Sequence, residues 1–330
     1  MALGSQRVIP QMASPERKLH VIMYHYVRDL GASRYPKIKG MELHEFHDQI
    51  AWLSANYELT SLEVALEFLA GNYTSSKDIC LLTFDDGLKE HHSEVLPILT
   101  KYKIQGLFGV ITSCVEDKIV APVHMNHFLM AKLEFETYRN AFMRLLNDSA
   151  GGVSAVDSVE SAVAQASYPL DTLEVAKFKF LFNFALDTAV RDRITSKLFE
   201  VYIGDQSDFA EELYMSWSEI RELQQAGMLV AGHTHQHRPL SKLNSDELDM
   251  DLRLSRKLLD ANLERQTLWP FSYPYGKRNS YSAEAMGLLK QLGFACAFNT
   301  ENGFNQPSSP IFELQRIDCK DAIQQLQTLN

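Results

Sequence analysis

Two adjacent carboxylates, Asp85 and Asp86, close an apolar run within Ile79-Cys80-Leu81-Leu82-Thr83-Phe84-Asp85-Asp86-Gly87. The run reads as a buried strand. Side chains alternate along a strand, so neighbours at its carboxyl end point in different directions. One carboxylate can then hold a cation while the other stays free to move a proton. Asp-Asp-Gly is equally good turn chemistry, and these residues alone do not separate the two. A second motif tips the balance. Gly232-His233-Thr234-His235-Gln236-His237 follows another apolar run, Met228-Leu229-Val230-Ala231. His233 and His237 are four apart and can reach one ion. Imidazole suits zinc, nickel, cobalt or iron, and a carboxylate adds an oxygen ligand. Three protein ligands with one position open is the pattern of a catalytic site. A single histidine here would more often be structural; three in five residues favour metal. His235 is expected to face away from the other two.

The elements that must position these residues follow a repeating pattern. His20 to Val27 reads as a strand ending near His25, and Phe46, Ile50 and Leu53 have helical spacing. Ser61 is placed to cap a helix over 62–69. The Asp-Asp strand, a helix over about 90–102 and a strand over 106–112 come next. This alternation predicts parallel strands wrapped by helices. It lapses over about 116–215, where the patterns are mostly helical. Gly151 to Ala155 reads as a loop, and Phe178 to Phe184 fits helix or strand. A stretch of that length is too long for a structureless loop and reads as a helical insertion that caps or shapes the site. The pattern resumes with a capping box, Ser216 to Glu219. It continues through the histidine strand, a helix over 246–263, a strand over 268–271 and Ser272-Tyr273-Pro274-Tyr275-Gly276. A helix over 282–292 and strands over 295–299 and 313–317 complete it. About seven β–α units predict an α/β fold, a closed or nearly closed barrel. Active residues of such barrels sit at the carboxyl ends of strands, where Asp85, Asp86, His233 and the Pro274 loop fall.

The 330 residues allow one large α/β domain, expected over 18–330 after an extended or disordered segment 1–17. A formal net charge of −10, mixed along the chain, argues against a general nucleic-acid or anionic-membrane binder. A basic stretch, Arg28, Arg34, Lys37 and Lys39, is either a solvated loop or a contact to a phosphorylated substrate. Four scattered cysteines show no framework, which fits a reducing compartment. The opening residues lack a signal-peptide stretch and no run is long enough to span a membrane. A cytoplasmic location is the expectation.

These motifs together resemble the polysaccharide deacetylase family, also called the NodB-homology or carbohydrate esterase family 4 group. The matching pieces are Thr83 to Gly87, His233-Thr234-x-x-His237 and Phe271 to Gly276, in the family's order. Met23-Tyr24-His25-Tyr26-Val27 resembles a subgroup that includes poly-N-acetylglucosamine deacetylases. The likeness covers about 18–115 and 216–320. It implies a distorted (β/α)7-type barrel. Asp86, His233 and His237 would hold one divalent metal, zinc first, with nickel or cobalt as alternatives. Asp85 would be the general base and the backbone amide of Tyr275 an oxyanion donor. A metal polarises an amide carbonyl and acidifies a coordinated water, and a free carboxylate beside it can take the proton.

The chain departs from the family in two places. Many members carry a late histidine as general acid, but none follows His237 here. In the subgroup's arrangement the early histidine does this work, which points to His25. Many members also have an arginine just before the motif's proline, where this chain has Tyr273. Arg316 or Asp318 is then a candidate to tune the base or acid. Tyr273, Pro274, Arg34, Lys39 and Arg316 are candidate substrate contacts. His124 and His127 either line the site or are ordinary surface or core residues, the second reading being favoured, and His91 and His92 read as solvated. The leading function is removal of an N-acetyl group from an amino sugar of a surface-glycan pathway, carried as an oligosaccharide or linked to a nucleotide or lipid. The alternatives are an O-acetyl esterase, an N-deformylase, or a non-catalytic carbohydrate-binding protein on the same scaffold.

Overall fold

The computed structural model describes residues 17–148 and 159–328. The N-terminal segment 1–16 and the Gly151–Ala155 loop lie outside the described residues. Among the described residues there are ten strands: β1 Leu19–Tyr24, β2 Val27–Arg28, β3 Met41–Glu42, β4 Glu58–Leu59 and β5 Ile79–Phe84. After them come β6 Gly106–Val110, β7 Leu229–Gly232, β8 Pro270–Ser272, β9 Cys296–Phe298 and β10 Ile317–Asp318. The main sheet runs β10-β1-β5-β6-β7-β8-β9, with β4 beside β5. Each strand-to-strand ladder of this sheet among the described residues is parallel, as the β–α alternation predicts.

Parallel strands covered on both faces carry continuous apolar runs, and LHVIMY of β1 and ICLLTF of β5 are buried throughout. The period of two still divides them. Ile22, Tyr24, Cys80, Leu82 and Phe84 join one core cluster, whereas Leu19, Val21, Ile79 and Leu81 join another. Thr83 and Asp85 continue the second face, which decides where the base points. The sheet curls until its ends meet at one parallel bridge, Phe298 to Leu314. The fold is a curled, nearly closed half-barrel of parallel strands.

Several boundaries differ from expectation. The first strand stops at Tyr24, and Val27–Arg28 leaves the main sheet to pair with β3. That departure carries His25 out of the sheet to its carboxyl edge. The last strand is Ile317–Asp318, because Leu314 makes only the bridge that closes the curl. The helix expected over 90–102 opens with a π-helical turn, His91–Val95. Ser61, Ser216 and Asn244 cap their helices through side-chain oxygens, the last two in reciprocal boxes with Glu219 and Glu247.

The described residues between β6 and β7 are mostly helical, including Pro122–Lys132, Phe135–Asn147, Ser161–Ser167, Leu173–Phe180, Thr188–Tyr202 and Gln206–Leu213. The ambiguous Phe178–Phe184 stretch is helix throughout, running into a π-helical turn Leu181–Ala185. Tyr138, Phe142, Phe178 and Phe182 give this region its own core. It is joined to the first strands by Tyr26, Tyr35 and Ile38. No helix among the described residues is long and apolar enough to cross a membrane.

Candidate active site

Asp85, Asp86, His233, His237 and Tyr275 line one cavity of about 270 Å³ at the carboxyl edge of the sheet, with His25 and Tyr273. Among the described residues, Asp86, His233 and His237 form a group whose ligand atoms lie within 4.8 Å of one another. His233 Nδ1 lies 2.7 Å from the Ser272 carbonyl and therefore donates to it. That fixes the tautomer and leaves Nε2 as a lone pair, 3.3 Å from Asp86 Oδ1. His237 Nε2 is 3.5 Å from the same oxygen. Asp86 Oδ1 is buried and has no hydrogen-bond partner among the described residues. A buried carboxylate oxygen facing two imidazole nitrogens is costly without a cation between them, so the residues present fit a divalent metal.

The loops that hold these groups are strained. Asp86 (φ 82°), Thr234 (φ 65°), His237 (φ 53°) and Tyr275 (φ 61°) all have left-handed backbones that non-glycine residues seldom adopt. Tertiary bonds hold them there. His235 and Gln236 donate their backbone N–H groups to Asp251 at 2.9 and 3.0 Å, and His237 donates its own to Thr234 Oγ1 at 2.9 Å. His235 points away, as expected, with Nδ1 3.0 Å from Thr112 Oγ1. The Thr300 hydroxyl donates to the Tyr275 carbonyl at 2.8 Å. Gly276 (φ 64°) lets this loop turn, and a Cβ there would sit 2.4 Å from Thr300 Cγ2 and 2.8 Å from its backbone nitrogen. Gly276→Ala should therefore cost about 1–3 kcal/mol and move Tyr275. The expected result is a fall of about tenfold or more in kcat/KM, since small misplacements are expensive in catalysis. Turnover and chemical denaturation measured on the same preparation check it.

Asp85 lies on the opposite side of the strand end from Asp86. Arg316, fully buried, holds it: Nη1 donates to Oδ1 at 3.0 Å, and Nη2 stands 2.8 Å from Oδ2 as an ion pair. Arg316 also donates to the Asn299 carbonyl at 2.7 Å and to Thr83 Oγ1 at 3.1 Å, so it spans the seam of the curl. Burial pushes the Asp85 carboxyl up, but the Arg316 guanidinium, with His233 and His25, outweighs burial and holds it well below the ordinary range. The same contest lowers Asp86, where burial is opposed by His124 and His233. Burial lowers His237, helped by the nearby His233 ring, which keeps it neutral and able to ligate. In His233 burial is outweighed by Asp85 and Asp86, and its value is raised.

His25 Nε2 stands 3.9 Å from Asp85 Oδ2 with its side chain 38% exposed, at the cavity mouth. Its backbone is held by His91, whose Nε2 donates to the His25 carbonyl at 2.8 Å. His91 corrects the sequence reading: it is fully buried between Phe84 and Phe108, and burial lowers its pKa to about 4. His92 instead pairs with Glu222 at the surface.

Other expected contacts fall elsewhere. Arg34 and Lys39 do not line this cavity. They pair with Glu212 and Asp171 at 3.3 and 3.0 Å, as Lys37 pairs with Glu134 at 2.6 Å. Arg28 is bound by the buried Glu90. Tyr273 reaches the cavity wall, but it stacks on Tyr281 and donates its hydroxyl to the Phe312 carbonyl at 3.0 Å. Pro274 is buried in the loop behind it. For two residues the less favoured of the two sequence readings holds. His124 stands 2.9 Å from Asp86 and His127 lines the cavity. No local pattern marks either one.

The comparisons agree with this architecture. The family model for polysaccharide deacetylases matches residues 72–142 and 163–297, more than half of the chain. The chain belongs to the polysaccharide deacetylase family, and a deacetylase function follows. YxkH of Bacillus subtilis (strain 168), assigned by name to the same family, is 28% identical over 301 residues, covering 91% of this chain and 71% of YxkH. Among solved structures, the Streptococcus pyogenes deacetylase PplD, in complex with acetate, superposes with a TM-score of 0.58 at 16% identity. That match covers 96% of this chain and 99% of PplD. IcaB from Ammonifex degensii gives 0.56 at 19% identity, covering 94% and 96%. A de-N-acetylase from Aggregatibacter actinomycetemcomitans gives 0.57 at 15%, covering 95% and 100%. At these identities the structures share the fold.

Proposed function

We propose that this protein is a metal-dependent N-deacetylase that removes the acetyl group from an amino sugar within a glycan of a surface-polysaccharide pathway. The observation that carries the reading is Asp85: a buried carboxylate kept ionised by Arg316, beside an Asp86–His233–His237 group suited to one divalent cation. When bound, the cation supplies Lewis acidity to the acyl carbonyl. Asp85 takes the proton of the attacking water. The Tyr275 backbone amide, in the cavity wall, is the donor that the family likeness assigns to the developing oxyanion. His25, at the open mouth, returns a proton to the departing amine. An amine leaves poorly without that proton, so a placed acid favours an amide over an ester. Zinc is the first choice, with nickel or cobalt as alternatives.

A glycan longer than one sugar fits best. Tyr275 also lines a neighbouring cavity of about 820 Å³, walled by Tyr168 and Phe184 of the insertion and by Lys277 and Arg278. Aromatic faces with polar groups at their edges suit sugar rings, which carry both C–H faces and hydroxyls. The basic stretch lends no support to a phosphorylated or nucleotide-linked substrate, because its side chains are paired with acids. The four free, buried cysteines fit a reducing compartment, and a cytoplasmic site of action belongs to the reading. O-acetyl ester hydrolysis on the same machinery is the second reading.

Zinc-loaded protein should be incubated with N-acetylglucosamine oligomers, N-acetylated nucleotide sugars and O-acetylated sugars, with a chelated control. Acetate and new primary amine are then measured together. Equal amounts of both from the oligomers, abolished by chelator, is the expected result. Acetate without amine would replace the reading with the esterase. No acetate from any substrate, with zinc bound, would overturn it in favour of a binding protein.

A further inference from the structure

We propose that His124, supplied by the helical insertion, is a positioning residue that sets which oxygen of Asp86 faces the cation. The inference rests on the reading that Asp86, His233 and His237 hold a divalent ion. His124 is 1% exposed, and its Nε2 lies 2.9 Å from Asp86 Oδ2. An ionised carboxylate only accepts, so Nε2 carries the proton. The other ring nitrogen, Nδ1, is hydrogen-bonded to the Tyr214 hydroxyl at 2.6 Å. The Tyr214 oxygen in turn accepts from the Ala121 backbone N–H at 3.1 Å. This chain of bonds occupies Oδ2 and leaves Oδ1 as the oxygen turned toward His233 and His237. It is Oδ1 that lacks a hydrogen-bond partner.

A second contact acts on another ligand. The His124 ring lies against that of His237, centroids 6.0 Å apart at 29°. His124 thus touches one ligand by a charge-assisted hydrogen bond and a second by its ring face. Asp86 has a left-handed backbone, φ 82°, which strand geometry does not hold in place. A fixed acceptor for Oδ2 supplies the constraint the backbone lacks. Both His124 and Tyr214 come from the region between β6 and β7, at its beginning and end. The insertion therefore does more than shape the approach: it pins a ligand from behind.

The test compares His124→Phe, His124→Gln and Tyr214→Phe with the parent by zinc calorimetry and by the visible spectrum of the cobalt(II) form. Partners of this kind are worth about 10–100-fold in metal affinity. His124→Phe should lose that much and change the cobalt spectrum. His124→Gln, whose amide N–H reaches the Nε2 position, should recover most of the affinity and the parent spectrum. Tyr214→Phe removes the bond that holds the His124 ring from behind and should cost about two- to tenfold, the share of one hydrogen bond. It keeps the proposal testable if the phenylalanine variant does not fold. Parent affinity and spectrum in both His124→Phe and Tyr214→Phe would overturn the role. Equal losses in His124→Phe and His124→Gln would also overturn it, since packing alone would then explain them. A parent that binds neither zinc nor cobalt would overturn the cation site, and this role with it. Binding in the parent with failure of only the variant pattern would leave the cation site standing.

Discussion

Asp85→Asn should lower kcat by about 10²–10⁴-fold, the usual worth of a placed general base, and leave cation binding near that of the parent. The two carboxylates are separable because successive strand residues point apart. Asp86 faces the imidazoles and Asp85 faces Arg316. Asparagine retains the shape and one acceptor oxygen but cannot take a proton. The substitution has a second consequence. Arg316 is fully buried, and Asp85 is its carboxylate partner. Removing one member of a buried pair typically costs about 3–5 kcal/mol, because the other charge stays buried and uncompensated. A drop in melting temperature is therefore expected beside the loss of rate. Zinc calorimetry and a denaturation curve on the same sample separate lost chemistry from lost fold. Parent turnover in a folded, zinc-binding Asp85→Asn protein would remove Asp85 from the role of base.

Much of this arrangement was readable from the chain because it is local. Parallel strands buried on both faces are apolar without interruption, so Ile79–Phe84 and Leu19–Tyr24 stand out. The acid pair and the histidines lie at the ends of such runs, and their spacing carries the chemistry. Ser61 caps Val64, and Ser216 pairs with Glu219, each across three residues, so capping is visible in sequence. The groups that were left open or misread depend on contacts distant in sequence. Arg316 could be read only as one of two candidates to tune the base or acid, because it meets Asp85 only when the sheet curls, 231 positions from it. His124 meets Asp86 only when the insertion folds back. Arg34 and Lys39 looked available because Glu212 and Asp171 lie 178 and 132 positions away. His91 looked solvated because Phe108, one of its two aromatic neighbours, arrives with the next strand. Such pairings follow from topology, which hydrophobic periodicity constrains only coarsely.

The pH behaviour of the base should depend on Arg316 more than on any other residue. In the parent, burial raises the Asp85 carboxyl, and Arg316, His233 and His25 together bring it below the ordinary 3.8. A depressed carboxyl contributes stability that is present above that ordinary value and lost as pH falls through the folded-state value. Asp85 is thus ionised across the working range and sets no limb of the rate profile near neutrality. In Arg316→Met the largest opposing charge is gone and burial is left to dominate, so the carboxyl should rise above its ordinary value. The sign of the linkage then reverses. Above the unfolded-state value the buried carboxylate becomes a cost, and stability falls as pH rises toward the raised value. Turnover should acquire an acid limb, falling about tenfold for each unit below that value. Arg316→Lys should behave between the two, because an ammonium restores charge but not the guanidinium's simultaneous bonds to Asp85, Thr83 and Asn299. Measuring kcat from pH 4 to 9 on zinc-loaded protein, and denaturation midpoints on the metal-free form, tests both halves. The metal-free form should show the larger shift, since a bound cation also favours the carboxylate. A rate profile for Arg316→Met that superimposes on the parent's would mean that Arg316 only closes the seam between β9 and β10. The base would then owe its ionisation to the histidines and the cation alone.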